Sequence, residues 1–101
     1  MTQPSRQAFV PFVSVDHMMR LVLQVGIEPL MVELADAIEA DFRRWPDFDK
    51  TPRVASHSDI GVIELMPTSD GQQYGFKYVN GHPGNMRQGL QTVTAFGVLA
   101  D

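Results

Sequence analysis

The order of residue patterns predicts an α+β fold: two N-terminal helices packed on an antiparallel sheet. Apolar residues recur at helical spacing between residues 15 and 42. From residue 53 onward the chain turns into short runs rich in β-formers. The links between those runs are too short for crossover helices, so sequential strands should pair antiparallel.

The lead-in "AFVPFVSV" is apolar and rich in β-formers, but Pro11 restricts it to an edge strand or an irregular segment. Residues 1–8 before it are expected to form a flexible tail, leaving 9–101 as the domain. Ser14 suits an N-cap for a helix over 15–25, with Met18, Leu21, Val22 and Val25 on one stripe and Gly26 as its stop. A second helix opens near Glu28-Pro29, where proline is tolerated in the first turn. Its stripe is Leu30, Met31, Leu34, Ile38 and Phe42, and it ends around Trp45-Pro46. Strands are expected at 53–58, 62–67, 73–80 and 91–100. Leu34, Ile38, Phe42, Phe76 and Tyr78 are the expected core, and Trp45 should close the second helix onto the sheet.

Composition narrows the function. A chain of 101 residues, 44% hydrophobic and 20% charged, is an ordinary small globular domain. Its net charge of −4 argues against a general nucleic-acid binder. The lone Gly81-His82-Pro83-Gly84 lacks the basic surroundings that such a loop needs to clamp an RNA backbone. With no cysteine, disulfides and thiolate chemistry are excluded, and a cytoplasmic location fits. No apolar run is long enough to span a membrane. Neither G-x-G-x-x-G nor a phosphate loop of the G-K-[ST] type occurs.

The stretch "VIELMPTSDGQQYGFKYVNGHP", residues 62–83, places Glu64 and Lys77 among apolar residues on either side of Asp70-Gly71. If those two residues form a two-residue hairpin loop, Glu64 lies directly across from Lys77. Val62, Met66, Gly75 and Val79 share that face, and Gly75 leaves room beside Lys77. Phe76 and Tyr78 point to the other side. Arg53 joins Glu64 and Lys77 in one of two possible strand parities, and a one-residue slip moves it to the opposite face. Two cations and an anion on one face suit a diamino-acid zwitterion. The competing reading is a cross-strand ion pair beside a surface arginine, of little energetic weight.

"FDKTPRVASHSDIGVIELMPTSDGQQYGFKYVNGHPGN" and "GLQTVTAFGVLAD" resemble the N-terminal region of the ornithine cyclodeaminase and mu-crystallin family. The resemblance runs from about Val13 to the end and is dense from Phe48. It implies a substrate-binding, dimerising domain that precedes an NAD-holding Rossmann domain. By this resemblance, Arg53 and Lys77 match residues that hold the substrate carboxylate. Glu64 matches the acid near the terminal amine of L-ornithine, and Thr92 matches a position that contacts the cofactor. Glu64 and Lys77 are the candidates for catalytic work. The implied reaction converts ornithine to proline and ammonia. The family continues beyond "TAFGVLAD", so the chain is expected to be an inactive N-terminal fragment of a homodimeric enzyme.

His57 and His82 stand too far apart in sequence to make a convincing metal site. His82 reads as a loop residue at the rim of the site, and His17 as exposed in a first helical turn. Two further readings remain. Within the family, the activity could be that of a ketimine reductase or amino-acid dehydrogenase. Outside catalysis, the chain could be a binding or assembly module.

Overall fold

The computed structural model describes residues 9–101, so the expected tail over 1–8 lies outside the described residues. The chain divides into two compact units, residues 1–42 and 43–101.

The first unit is helical. Phe9–Ser14 is irregular, and helix α1 (Val15–Val25) begins at the expected N-cap. The Ser14 N–H donates to His17 Nδ1 at 3.1 Å, and the His17 N–H donates to Ser14 Oγ at 3.2 Å. This reciprocal cap satisfies two backbone donors that would otherwise lack partners, so His17 has a structural task. Gly26 ends α1 with φ of 90°, a conformation that side chains resist. Helix α2 (Ile27–Arg43) follows at once.

The second unit opens with a short 3-10 turn, Trp45–Asp47, and continues into four strands. These are β1 (Val54–Ser58), β2 (Gly61–Ser69), β3 (Tyr74–Gly81) and β4 (Val93–Ala100). They pair antiparallel in the order β1-β2-β3-β4. A second 3-10 segment, Pro83–Gln88, stands in the β3–β4 link.

The hairpin register differs from the expected one. Glu64 pairs with Val79, and Lys77 pairs with Met66. The two-residue loop is Gly71-Gln72 instead of Asp70-Gly71, closed by the Asp70 N–H donating to the Gln73 carbonyl at 3.3 Å. Asp70 stands before the loop because its Oδ1 accepts the N–H groups of Gln72 and Gln73 at 3.0 and 2.9 Å. Gly71 takes the positive φ of 89°. Sliding the loop by one residue shifts the pairing by two, which preserves every side chain's face.

A second irregularity precedes β1. Asp49 bridges to Ser69, whereas the regular ladder begins with Val54 opposite Leu65. Residues 50–53 therefore lie against the shorter stretch 66–68, and this side carries one extra residue, as in a β-bulge.

Among the described residues no side chain is fully buried. Leu34, Ile38, Phe42 and Phe76 are exposed, Phe42 to 64%, and Tyr78 is half-buried. Trp45 is likewise 49% exposed, with Lys50 Nζ 5.0 Å above its ring. The residues expected as core are thus exposed or half-buried apolar positions.

Candidate functional site

The antiparallel register sorts the sheet into two faces. One carries Phe76, Tyr78 and Phe96, with Tyr78 stacked on Phe96 at 4.9 Å and Phe76 edge-on to it at 6.3 Å. The other carries the charged candidates, arranged in rows across the strands. Glu64 sits in a row with Ala55, Val79 and Ala95. The next row places Met66 opposite Lys77 and Lys77 opposite Gly97, and Arg53 extends this row just before β1.

Arg53 and Glu64 meet. Arg53 Nη1 donates to Glu64 Oε2 at 3.0 Å, with side chains 59% and 21% exposed respectively. The parity that unites Arg53, Glu64 and Lys77 is the one adopted. The direct Glu64–Lys77 pairing is not, because Lys77 lies diagonally one row away. Lys77 is exposed and, among the described residues, has no hydrogen-bond or ion-pair partner. Gly75 is less open than expected, since a Cβ there would lie 3.4 Å from the Val98 carbonyl and 3.9 Å from Leu99 Cδ1.

This arrangement can hold a zwitterion. Guanidinium carries five N–H donors and carboxylate two acceptor oxygens, so the Arg53–Glu64 bond exhausts neither group. With Lys77 counted, the cluster carries two cations and one anion, and its excess charge is positive. Adjacent rows on one face are about 7 Å apart, twice the rise of roughly 3.4 Å per residue. That spacing suits a carboxylate at the Arg53–Lys77 row and an amine at Glu64.

One row beyond Glu64, the face ends at a cavity of about 680 Å³. Its wall includes His57, Ile60, Val62, His82, Met86 and Thr92. Gly61 shapes it: a Cβ there would lie 2.3 Å from the Gly81 carbonyl and 2.6 Å from the His82 ring. The His82 N–H donates to the Thr92 carbonyl at 2.8 Å, and His82 Nδ1 is hydrogen-bonded to Asn80 Oδ1. The Thr92 hydroxyl makes no hydrogen bond among the described residues and is available to a ligand. Thr92 is therefore beside the cavity, apart from the charged trio. Both His57 and His82 line the cavity, but no three potential metal ligands come together among the described residues.

The sequence reading missed the bond between Arg44 Nη1 and Asp70 Oδ2, at 2.9 Å. Residues 26 apart give no local signal of such a pair. Arg44 also lies 4.5 Å above the Phe48 ring. The Gln73 N–H, then the Arg44 guanidinium and the Gln72 N–H, lower the Asp70 carboxyl pKa to about 2 from the usual 3.8. The strongest influence is the Gln73 N–H.

Residues 15–101 match the model of the ornithine cyclodeaminase/mu-crystallin family. An ornithine cyclodeaminase of Brucella abortus is 75% identical over all 101 residues, which amount to 28% of that protein. One from Agrobacterium tumefaciens is 75% identical over 91% of this chain and 26% of its own length. An alanine dehydrogenase of Archaeoglobus fulgidus is 34% identical over 78% of this chain and 26% of its own length. Among solved structures, an archaeal alanine dehydrogenase dimer with bound NAD matches with a TM-score of 0.62 and 35% identity. That match covers 68% of this chain and 22% of the other. The chain thus spans only 22–28% of the length of these proteins.

Proposed function

This chain belongs to the ornithine cyclodeaminase/mu-crystallin family, and on that premise we propose that it is the N-terminal, substrate-binding part of an enzyme converting L-ornithine to L-proline and ammonia. The observation that carries the reading is the charged trio: Arg53 bonded to Glu64, with Lys77, which has no partner among the described residues, on the same face one row away. High identity to ornithine cyclodeaminases supports the choice of substrate.

In this reading Arg53 and Lys77 grip the α-carboxylate and fix the α-carbon in position, a contribution of orientation. Glu64 Oε1 receives the terminal ammonium and takes its proton, which frees the amine lone pair to attack the α-carbon at the imine stage; the ring closes as the α-nitrogen leaves as ammonia. NAD, when bound, would accept a hydride from the α-carbon and return it. Of the residues present, the Thr92 hydroxyl beside an apolar-lined cavity fits a contact to such a group. The working enzyme is a cytoplasmic homodimer in this proposal.

The test uses the full-length enzyme. Arg53→Ala and Lys77→Ala should each lower kcat/KM for ornithine by an amount equivalent to about 2–5 kcal/mol, as expected for a charged contact to a bound carboxylate. The 101-residue chain alone should release no ammonia from ornithine, since it lacks a glycine-rich dinucleotide turn. Wild-type kinetics in both variants would sink the assignment.

The alanine dehydrogenase matches favour a second reading, oxidation of a simple amino acid. Such a substrate has no second amine for Glu64 to hold. Net NADH accumulation with alanine, and no proline from ornithine, would select it.

A further inference from the structure

Arg53 lies outside the regular ladder, so its aim depends on what anchors the segment before β1. Several contacts among the described residues do this. Arg44 binds the Asp70 carboxylate at 2.9 Å while covering the Phe48 ring. The Asp49 N–H donates to the Ser69 carbonyl at 2.7 Å. Lys50 Nζ donates to the carbonyls of Trp45 and Phe48 at 3.0 and 3.4 Å. The extra residue then falls between the Asp49 bridge and Val54, the interval that contains Arg53. Bulges beside functional sites are a recurrent way to re-aim a side chain.

We infer that Arg44 and Asp70 are positioning residues: their ion pair clips the 44–50 segment to the β2–β3 turn and thereby fixes the approach of Arg53 to the substrate carboxylate. The inference rests on the reading of Arg53 as a carboxylate grip. Neither Arg44 nor Asp70 touches the substrate. Asp70 lies just past the end of β2, four residues from Met66, beside which Arg53 stands, or roughly 13 Å at about 3.3 Å per residue. The effect therefore passes through the chain between them. Two features restrain this pair although Arg44 itself is exposed. The Asp70 side chain is only 13% exposed, and its other oxygen is fixed by the turn, so the carboxylate has little freedom to move.

Asp70→Asn isolates the clip, because the amide oxygen still accepts from Gln72 and Gln73 while the charge is lost. Arg44→Gln removes it from the other side. In the full-length enzyme, each should raise KM for ornithine roughly two- to fivefold, the scale of an exposed ion pair, with kcat little changed. The double variant should be no worse than either single one. In an Arg53→Ala background, Asp70→Asn should leave KM where Arg53→Ala put it, whereas any loss of thermal stability should persist. An unchanged KM in Asp70→Asn overturns the inference, as does an equal rise with and without Arg53. In both cases the carboxylate role of Arg53 is left standing. If Arg53→Ala itself leaves KM unchanged, the underlying site reading fails and the clip's role fails with it.

Discussion

Glu64 uses one oxygen for Arg53 and keeps the other, so its charge is available for more than the ion pair. Glu64→Gln should therefore abolish most ornithine turnover while changing folding stability by only about 0–1 kcal/mol, as for an exposed pair. Norvaline, which lacks the terminal amine, should inhibit wild type and variant alike. Equal weakening of norvaline and ornithine would assign Glu64 to supporting the cations instead. At this scale much was legible. The Ser14 cap and the Gly26 stop follow from residue chemistry, and alternation alone separates Lys77 from Phe76 and Tyr78. The identity of Glu64's partner was not legible, because Arg53 and Lys77 carry the same charge and a single row decides between them.

The elements show where local signals stop. Asp-Gly marks the β2–β3 turn, but the Asp70 carboxylate can close on the N–H groups that follow it, and this moves the loop by one residue. Faces survive that error and cross-strand partners do not. The Asp49–Ser69 bridge is made by main-chain atoms and leaves no side-chain signature. The link after β3 holds the 3-10 segment Pro83–Gln88, for which no helical periodicity stands in the sequence. Because the Gln73 N–H first, and then Arg44, lower the Asp70 pKa on folding, the ionised Asp70 carboxylate stabilises the folded chain above about pH 4. The contribution is lost as pH falls from 3.8 toward 2. The difference in thermal midpoint between wild type and Asp70→Asn should shrink over that interval. A difference constant from pH 6 to pH 2 would show that the charge of Asp70 contributes nothing.

For the whole molecule, the deciding property is how much apolar surface stays uncovered. Phe96 is 55% exposed and Val98 44%, on the same face as Phe76, while β1 and β4 both present unpaired edges among the described residues. Open edges and apolar faces drive association. The isolated 101-residue chain should accordingly show a weight-average mass that rises with concentration in sedimentation velocity. A concentration-independent monomer would contradict this. The sequence identified the residues of these faces through their periodicity. It could not show that they remain uncovered, since exposure depends on which layers are present.

The extra residue between Asp49 and Val54 also changes how sequence gaps should be weighed among relatives. Alignment treats a missing residue in a short surface connection as a minor event. Here, with Asp49 held at Ser69 and Val54 at Leu65, losing one residue sets three residues against the three of 66–68, which removes the bulge and leaves a regular ladder. Losing two sets two residues against three, so both anchors can no longer hold. One-residue and two-residue gaps at this point are therefore different in kind. A relative with a two-residue gap is expected to lack the Asp49–Ser69 bridge or to carry a shortened facing strand.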